Sequence, residues 1–142
     1  MLRGMDDIPA PGHTRTAAQR AGDAAERLVA TTLEAAGWHV IGRNVRVGRL
    51  ELDLVAVDLG PPPALVIVEV RWRSRRDFGL AEESVDFRKR ARLRRAAFAL
   101  LELGVLPDGV TIPRLPLRFD IVVVEPGKGS DGPPIRHHRA AF

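Results

Sequence analysis

The sequence predicts an α/β protein, a sheet covered by helices, in the order α-β-β-β-α-β-β. Residues 50–58 and 64–73 are β-like runs with apolar side chains on both faces, as in a sheet buried on each side. Segments 14–36 and 84–103 repeat their apolar residues at helical spacing. A later run, Ile121-Val122-Val123-Val124, reads as one more buried strand.

Residues 1–14 read as a disordered tail ahead of one domain spanning 15–142. Thr14 or Thr16 is placed to cap the first helix, which runs to about Ala36 and closes at Gly37. At 100° per residue Glu26 shares a side with Gly22, Val29, Ala30 and Leu33, so it points inward. An acid there either snorkels around the helix edge or reaches a site on the sheet. Trp38 to Arg46 reads as the first strand, with 45–49 turning into the second.

In the second strand, 50–58, alternation places Leu50, Leu52, Leu54 and Ala56 on one face and Glu51, Asp53, Val55 and Val57 on the other. In the third, Leu65, Ile67, Glu69, Arg71 and Arg73 share a face opposite Val66, Val68, Val70 and Trp72. The linker 59–63 is short enough to make these strands an antiparallel pair, which lets Glu51, Asp53 and Glu69 converge. Carboxylates at the edge of an apolar sheet are costly without a positive neighbour. A divalent cation would satisfy them, because Mg²⁺ takes one or two carboxylates and fills its other positions with water and phosphate oxygens. A partly buried Glu69–Arg71 ion pair with no ligand is the plainer alternative.

Segment 74–80 reads as a polar, basic loop, and Ser84 is placed to cap a second helix ending at Leu103 and Gly104. Lys89 falls mid-stripe on the buried face of that helix with Val85, Leu93, Ala96 and Leu100. It either meets an acid or a phosphate at the sheet or snorkels outward. Arg88 and Arg95 flank one edge of the stripe, Arg90 and Arg94 the other. After a Pro-rich connector, 117–125 forms a strand and 135–142 a last one at the sheet margin. His137 and His138 then point to opposite faces and cannot clamp a metal together. Residues 127–132 match G-x-G-x-x-G, but Pro133-Pro134 follows where a phosphate-binding helix would start, so the stretch is a turn.

Composition narrows the function classes. No cysteine is present, which excludes disulfides and thiolate metal sites. No run approaches membrane-spanning length and 1–12 lacks the apolar core of a signal peptide, so the expectation is a cytoplasmic protein without membrane partners. The formal net charge is only +4, but the basic residues cluster in 71–76 and 88–95. Such clusters suit a polyanion, DNA foremost and RNA as well. Arg73, Arg75, Arg76, Arg88, Arg92 and Arg95 are the expected phosphate contacts.

The element order, with Glu26, Asp53, Glu69 and a basic residue two beyond Glu69, resembles the PD-(D/E)XK nuclease superfamily, the restriction-endonuclease-like fold. More narrowly, from about residue 16 onward the chain resembles the small bacterial YraN family. The stretches that carry this are Glu26, Glu51-Leu52-Asp53-Leu54-Val55-Ala56, Val68-Glu69-Val70-Arg71 with Arg73, Lys89, Arg118-Phe119-Asp120, and His137 with Ala141-Phe142. The resemblance implies a three-layer fold with a mixed central sheet and a metal-dependent endonuclease-like site. Asp53 and Glu69 would ligate Mg²⁺ or Mn²⁺, with Glu26 and Glu51 as supporting acids. Two positions depart from the family pattern: Leu50 replaces a glycine, and Arg71 stands where the superfamily has its catalytic lysine. An arginine can neutralise charge on a phosphate in flight but cannot serve as general base. Lys89 is one candidate to supply the missing ammonium. The metal's own effect on bound water is another route around it. The rival expectations are a non-catalytic DNA- or RNA-binding adaptor on the same scaffold and a basic structural protein with an empty pocket. The sequence leaves open whether two copies pair in a homodimer, as many junction enzymes do.

Overall fold

The computed structural model describes residues 14–73, 86–127 and 134–142. Expectations for the tail, for loop residues Arg75 and Arg76, for Ser84 and for the turn after Gly127 lie outside the described residues. The first helix, α1 (Ala17–Ala35), starts where expected. Thr16 accepts from the Gln19 amide and the Gln19 side chain returns a bond to Thr16, a reciprocal cap. Gly37, at φ +92°, follows its end.

Five strands form one mixed sheet, β1 (His39–Val47), β2 (Leu50–Asp58), β3 (Ala64–Trp72), β4 (Leu117–Val124) and β5 (Ile135–His138), in spatial order 1-2-3-4-5. β1, β2 and β3 run antiparallel, β3 and β4 parallel, and β4 and β5 antiparallel. The parallel step requires a crossover, which the second helix, α2 (Phe87–Leu103), provides. Asp86 caps α2 by accepting from the Lys89 amide, so the helix begins later than a cap at Ser84 would place it. Gly104, left-handed at φ +72°, ends it as expected.

Each face of the sheet has its own core. Ala25, Val29, Ala30 and Leu33 of α1 pack with Leu54, Ala56, Val66, Val68, Val122 and Val124. Leu93, Ala96, Ala97 and Leu100 of α2 pack with Val55, Val57, Leu65, Ile67, Ile121 and Val123. The α/β class and the two-sided burial match the sequence reading.

Three details of the strands differ. β1 runs on to Val47, so only Gly48 and Arg49 make the turn; Gly48 takes φ +62° there. β5 stops at His138, because Ala140 adopts φ +50° and turns its amide back into the sheet. The faces of β2 also exchange part-way. Leu52 packs on the α2 side with Val55 and Val57, whereas Leu54 and Ala56 lie on the α1 side. Leu52 and Leu54 therefore do not share a face. The break falls at Asp53, and across the ladder Asn44 sits at φ +49° between the pairs Arg43–Leu54 and Val45–Leu52.

Candidate metal and phosphate site

β2 and β3 stay paired only from Asp58–Ala64 to Leu54–Val68. Beyond that rung β3 keeps its bonds to β4 as far as Trp72, while β2 parts from it. The Val70 amide, which would continue the ladder, instead donates to Asp53 Oδ2 at 2.9 Å. Asp53 thus fills the mouth of the split with a carboxyl rather than a backbone carbonyl.

Glu69 is almost fully buried and lies beside Asp53. Lys89, projecting inward from α2, places Nζ 2.8 Å from Glu69 Oε1. The ammonium meets an acid at the sheet instead of snorkelling away. Arg71, two residues along β3, approaches the same oxygen less closely, with Nε at 3.6 Å. That nitrogen is buried without a hydrogen-bond partner. A simple Glu69–Arg71 pair therefore does not describe the site, because lysine holds the shorter contact.

From the α1 side Glu26 reaches the same cluster and hydrogen-bonds Asp53. The Asn44 amide, oriented to satisfy its neighbours, donates to Glu26 Oε2 at 2.9 Å and to Glu51 Oε1 at 3.0 Å. A groove of about 500 Å³ opens here, with Glu26, Asn44 and Glu51 in its wall and Arg15, Arg27 and Arg43 among its other lining residues. Glu26, Glu51, Asp53, Glu69, Arg71 and Lys89 thus come from four elements to one end of the sheet.

Crowding of like charges shows in the protonation of the cluster. Burial, reinforced by the charges of Glu69 and Glu26, pushes Asp53 up to about 8, although the Val70 amide opposes the rise. Glu26 is raised as well, by burial first and then by Asp23 and Glu51, with hydrogen bonds from Asn44 and Asp53 acting against the shift. Among the described residues no three His, Cys, Asp or Glu side chains are arranged to hold a metal unaided. Two hard carboxylate donors, with a proton that burial and then the neighbouring acids retain on Asp53, would suit a Mg²⁺- or Mn²⁺-sized cation that keeps its other positions for water and phosphate.

The expected phosphate contacts are unevenly placed. Arg88, Arg92 and Arg95 are exposed on α2. Arg73 turns towards Glu125, with NH1 at 4.0 Å. Arg90 and Arg94 lie over the ring of Phe142, 5.7 and 5.6 Å from its centroid, and that ring stacks on Phe119.

A second charged cluster is centred on β4, where Asp120 pairs with Val68. Asp120, fully buried, accepts from Arg118 Nε and NH2 at 2.9 Å each, and from the Ala140 amide at 3.0 Å. His137 Nε2 lies 2.8 Å from its Oδ2. Arg118 also reaches Asp58 at 3.0 Å and covers the Trp38 ring. Burial alone would raise Asp120, but His137, Arg118 and the Ala140 amide together hold it below the usual carboxylate range. His137 thus serves as a partner of the buried Asp120 and packs beside Trp38.

A family model described as Uncharacterised protein family UPF0102 matches residues 25–124, a span that takes in Glu26, Asp53, Glu69, Lys89 and Asp120. A UPF0102 protein of Symbiobacterium thermophilum is 43% identical over 110 residues, 77% of this chain and 85% of the relative. One from Pseudomonas savastanoi pv. phaseolicola is 38% identical over 128 residues, 90% of this chain and 97% of the relative. One from Xanthomonas euvesicatoria pv. vesicatoria is 42% identical over 121 residues, 85% and 88% of the two chains.

Proposed function

This chain belongs to the UPF0102 family, and from that premise we propose that it binds nucleic acid on a restriction-endonuclease-like scaffold and hydrolyses phosphodiesters with Mg²⁺ or Mn²⁺. The observation that carries the reading is the meeting of Asp53, Glu69 and Lys89 where β2 and β3 separate. Carboxylates and an ammonium side by side are the parts that phosphoryl chemistry needs. Asp53 and Glu69 would hold the cation, which supplies positive charge to phosphate oxygens and acidifies water.

The protein's own groups divide the remaining work. Lys89, tethered to Glu69, presents an ammonium to the incoming phosphate and so supplies the charge that a lysine in the place of Arg71 would bring. Arg71 holds a buried nitrogen without a partner close to Glu69, placed to neutralise charge on the phosphate. Glu26 hydrogen-bonds Asp53 and orients it from the α1 side. The exposed arginines of α2 follow the backbone without reading sequence, which makes binding salt-sensitive.

The test is cleavage of flapped, branched and single-stranded DNA with Mg²⁺ or Mn²⁺. The wild type is expected to cut at least one of these, and Asp53→Ala to abolish cutting while DNA binding persists. Wild-type binding without cleavage of any substrate would replace the enzyme with the adaptor reading, in which Arg71 marks a site that has lost its chemistry. Absence of both binding and metal affinity would overturn both readings.

A further inference from the structure

Asn44 was not singled out by its sequence context, yet it touches two acids of the cluster and has an unusual backbone. A left-handed residue inside a strand is uncommon, and asparagine is among the few side chains that tolerate it. At φ +49° it sits opposite Asp53, in a rung missing between Arg43–Leu54 and Val45–Leu52. On one side of that rung Leu54 faces α1; on the other Leu52 faces α2. Unbroken alternation would put Glu51 on the α2 face and Leu52 on the α1 face. The break reverses both, and Glu51 lies beside Glu26 in the groove that opens there.

We infer that Asn44 is the positioning residue of the carboxylate cluster: its left-handed backbone delivers Glu51 to the α1 side, and its amide ties Glu51 to Glu26. Two acids with no donor between them would drift apart; a single NH2 that bonds both keeps them together. With Glu26 so held, Asp53 is bracketed between Glu26 and Glu69. This deepens the proposed function and rests on it only for the metal readout below.

Two measurements test it. In a thermal double-mutant cycle, Asn44→Asp replaces the donor with a third carboxylate and lowers Tm by about 3 °C. Adding Glu51→Gln restores an amide beside a carboxylate and recovers at least half of the loss. Purely additive effects would overturn the tether. In Mn²⁺ calorimetry, Asn44→Gly keeps the backbone conformation but removes the amide, and the expected affinity falls about tenfold, as for other residues that orient metal ligands. Wild-type Mn²⁺ affinity in Asn44→Gly would overturn the positioning role. If the wild type itself takes up no Mn²⁺, the metal-dependent function fails, and the thermal cycle alone decides the role of Asn44.

Discussion

Two buried acids of the sheet, Asp53 on β2 and Asp120 on β4, sit in opposite circumstances. Asp120 receives four donors from Arg118, His137 and the Ala140 amide and is held below the ordinary carboxylate range. Asp53 receives one backbone amide, is crowded by Glu69 and Glu26, and is pushed up to about 8. An acid whose partners saturate it has no capacity left for a ligand, and its interactions act on stability. An acid whose neighbours are other acids is an unfinished arrangement that a cation can complete. The contrast separates a structural network from a candidate site without reference to any relative.

The largest expected effect breaks the saturated cluster around Asp120. Asp120→Ala removes the main partner of Arg118 and leaves His137 and the Ala140 amide unmatched; it should cost about 3–5 kcal/mol, seen as a fall in Tm of about 10 °C or more. The Asp53→Asn change should have the opposite sign at alkaline pH, because the amide still accepts from Val70 and no charge has to be buried.

A pH series sharpens the same comparison. Asp53 has a folded pKa raised from 3.8 to about 8, so its contribution is fully present below the unfolded value and is lost as pH rises through the folded one. Wild-type stability should therefore carry a declining contribution from Asp53 between about pH 4 and pH 8, by at most roughly 1.4 kcal/mol per pH unit. Asp53→Asn should flatten much of that slope, with Glu26 accounting for a residual decline in the same direction. Asp120, depressed, contributes above its unfolded value of 3.8 and loses that contribution as pH falls through its folded value. Urea unfolding across the range separates the two arms.

Much of this contrast was legible in the sequence, and the parts that were not have physical reasons. Helical periodicity placed Glu26 and Lys89 inward, and two-sided apolar strands put Asp53 and Glu69 at a sheet edge; all four meet. The exchange of faces at Asp53 was not legible, because strand patterning assumes unbroken alternation and a lone asparagine in a strand carries no distinguishing signal. The start of α2 was misplaced because Ser84 and Asp86 are both good caps; an aspartate three residues before Lys89 was the available clue. The saturation of Asp120 depends partly on His137 of β5 and on the Ala140 amide beyond it, about 17 and 20 residues along the chain, which no local pattern reports.

The smallest effect concerns the surface. Arg92→Ala on the exposed side of α2 should leave Tm nearly unchanged, lower DNA affinity on every sequence, and reduce the salt slope of binding by about one phosphate contact.

The most direct test is calorimetric titration of Mn²⁺ at pH 7 in two buffers of different ionisation enthalpy, on the wild type and on Asp53→Asn. The account predicts binding by the wild type with release of about one proton, as the cation displaces the one retained by the carboxyls, and at least tenfold weaker binding with little proton release by the variant. Equal affinity in the two proteins, or wild-type binding without a proton released, would contradict it.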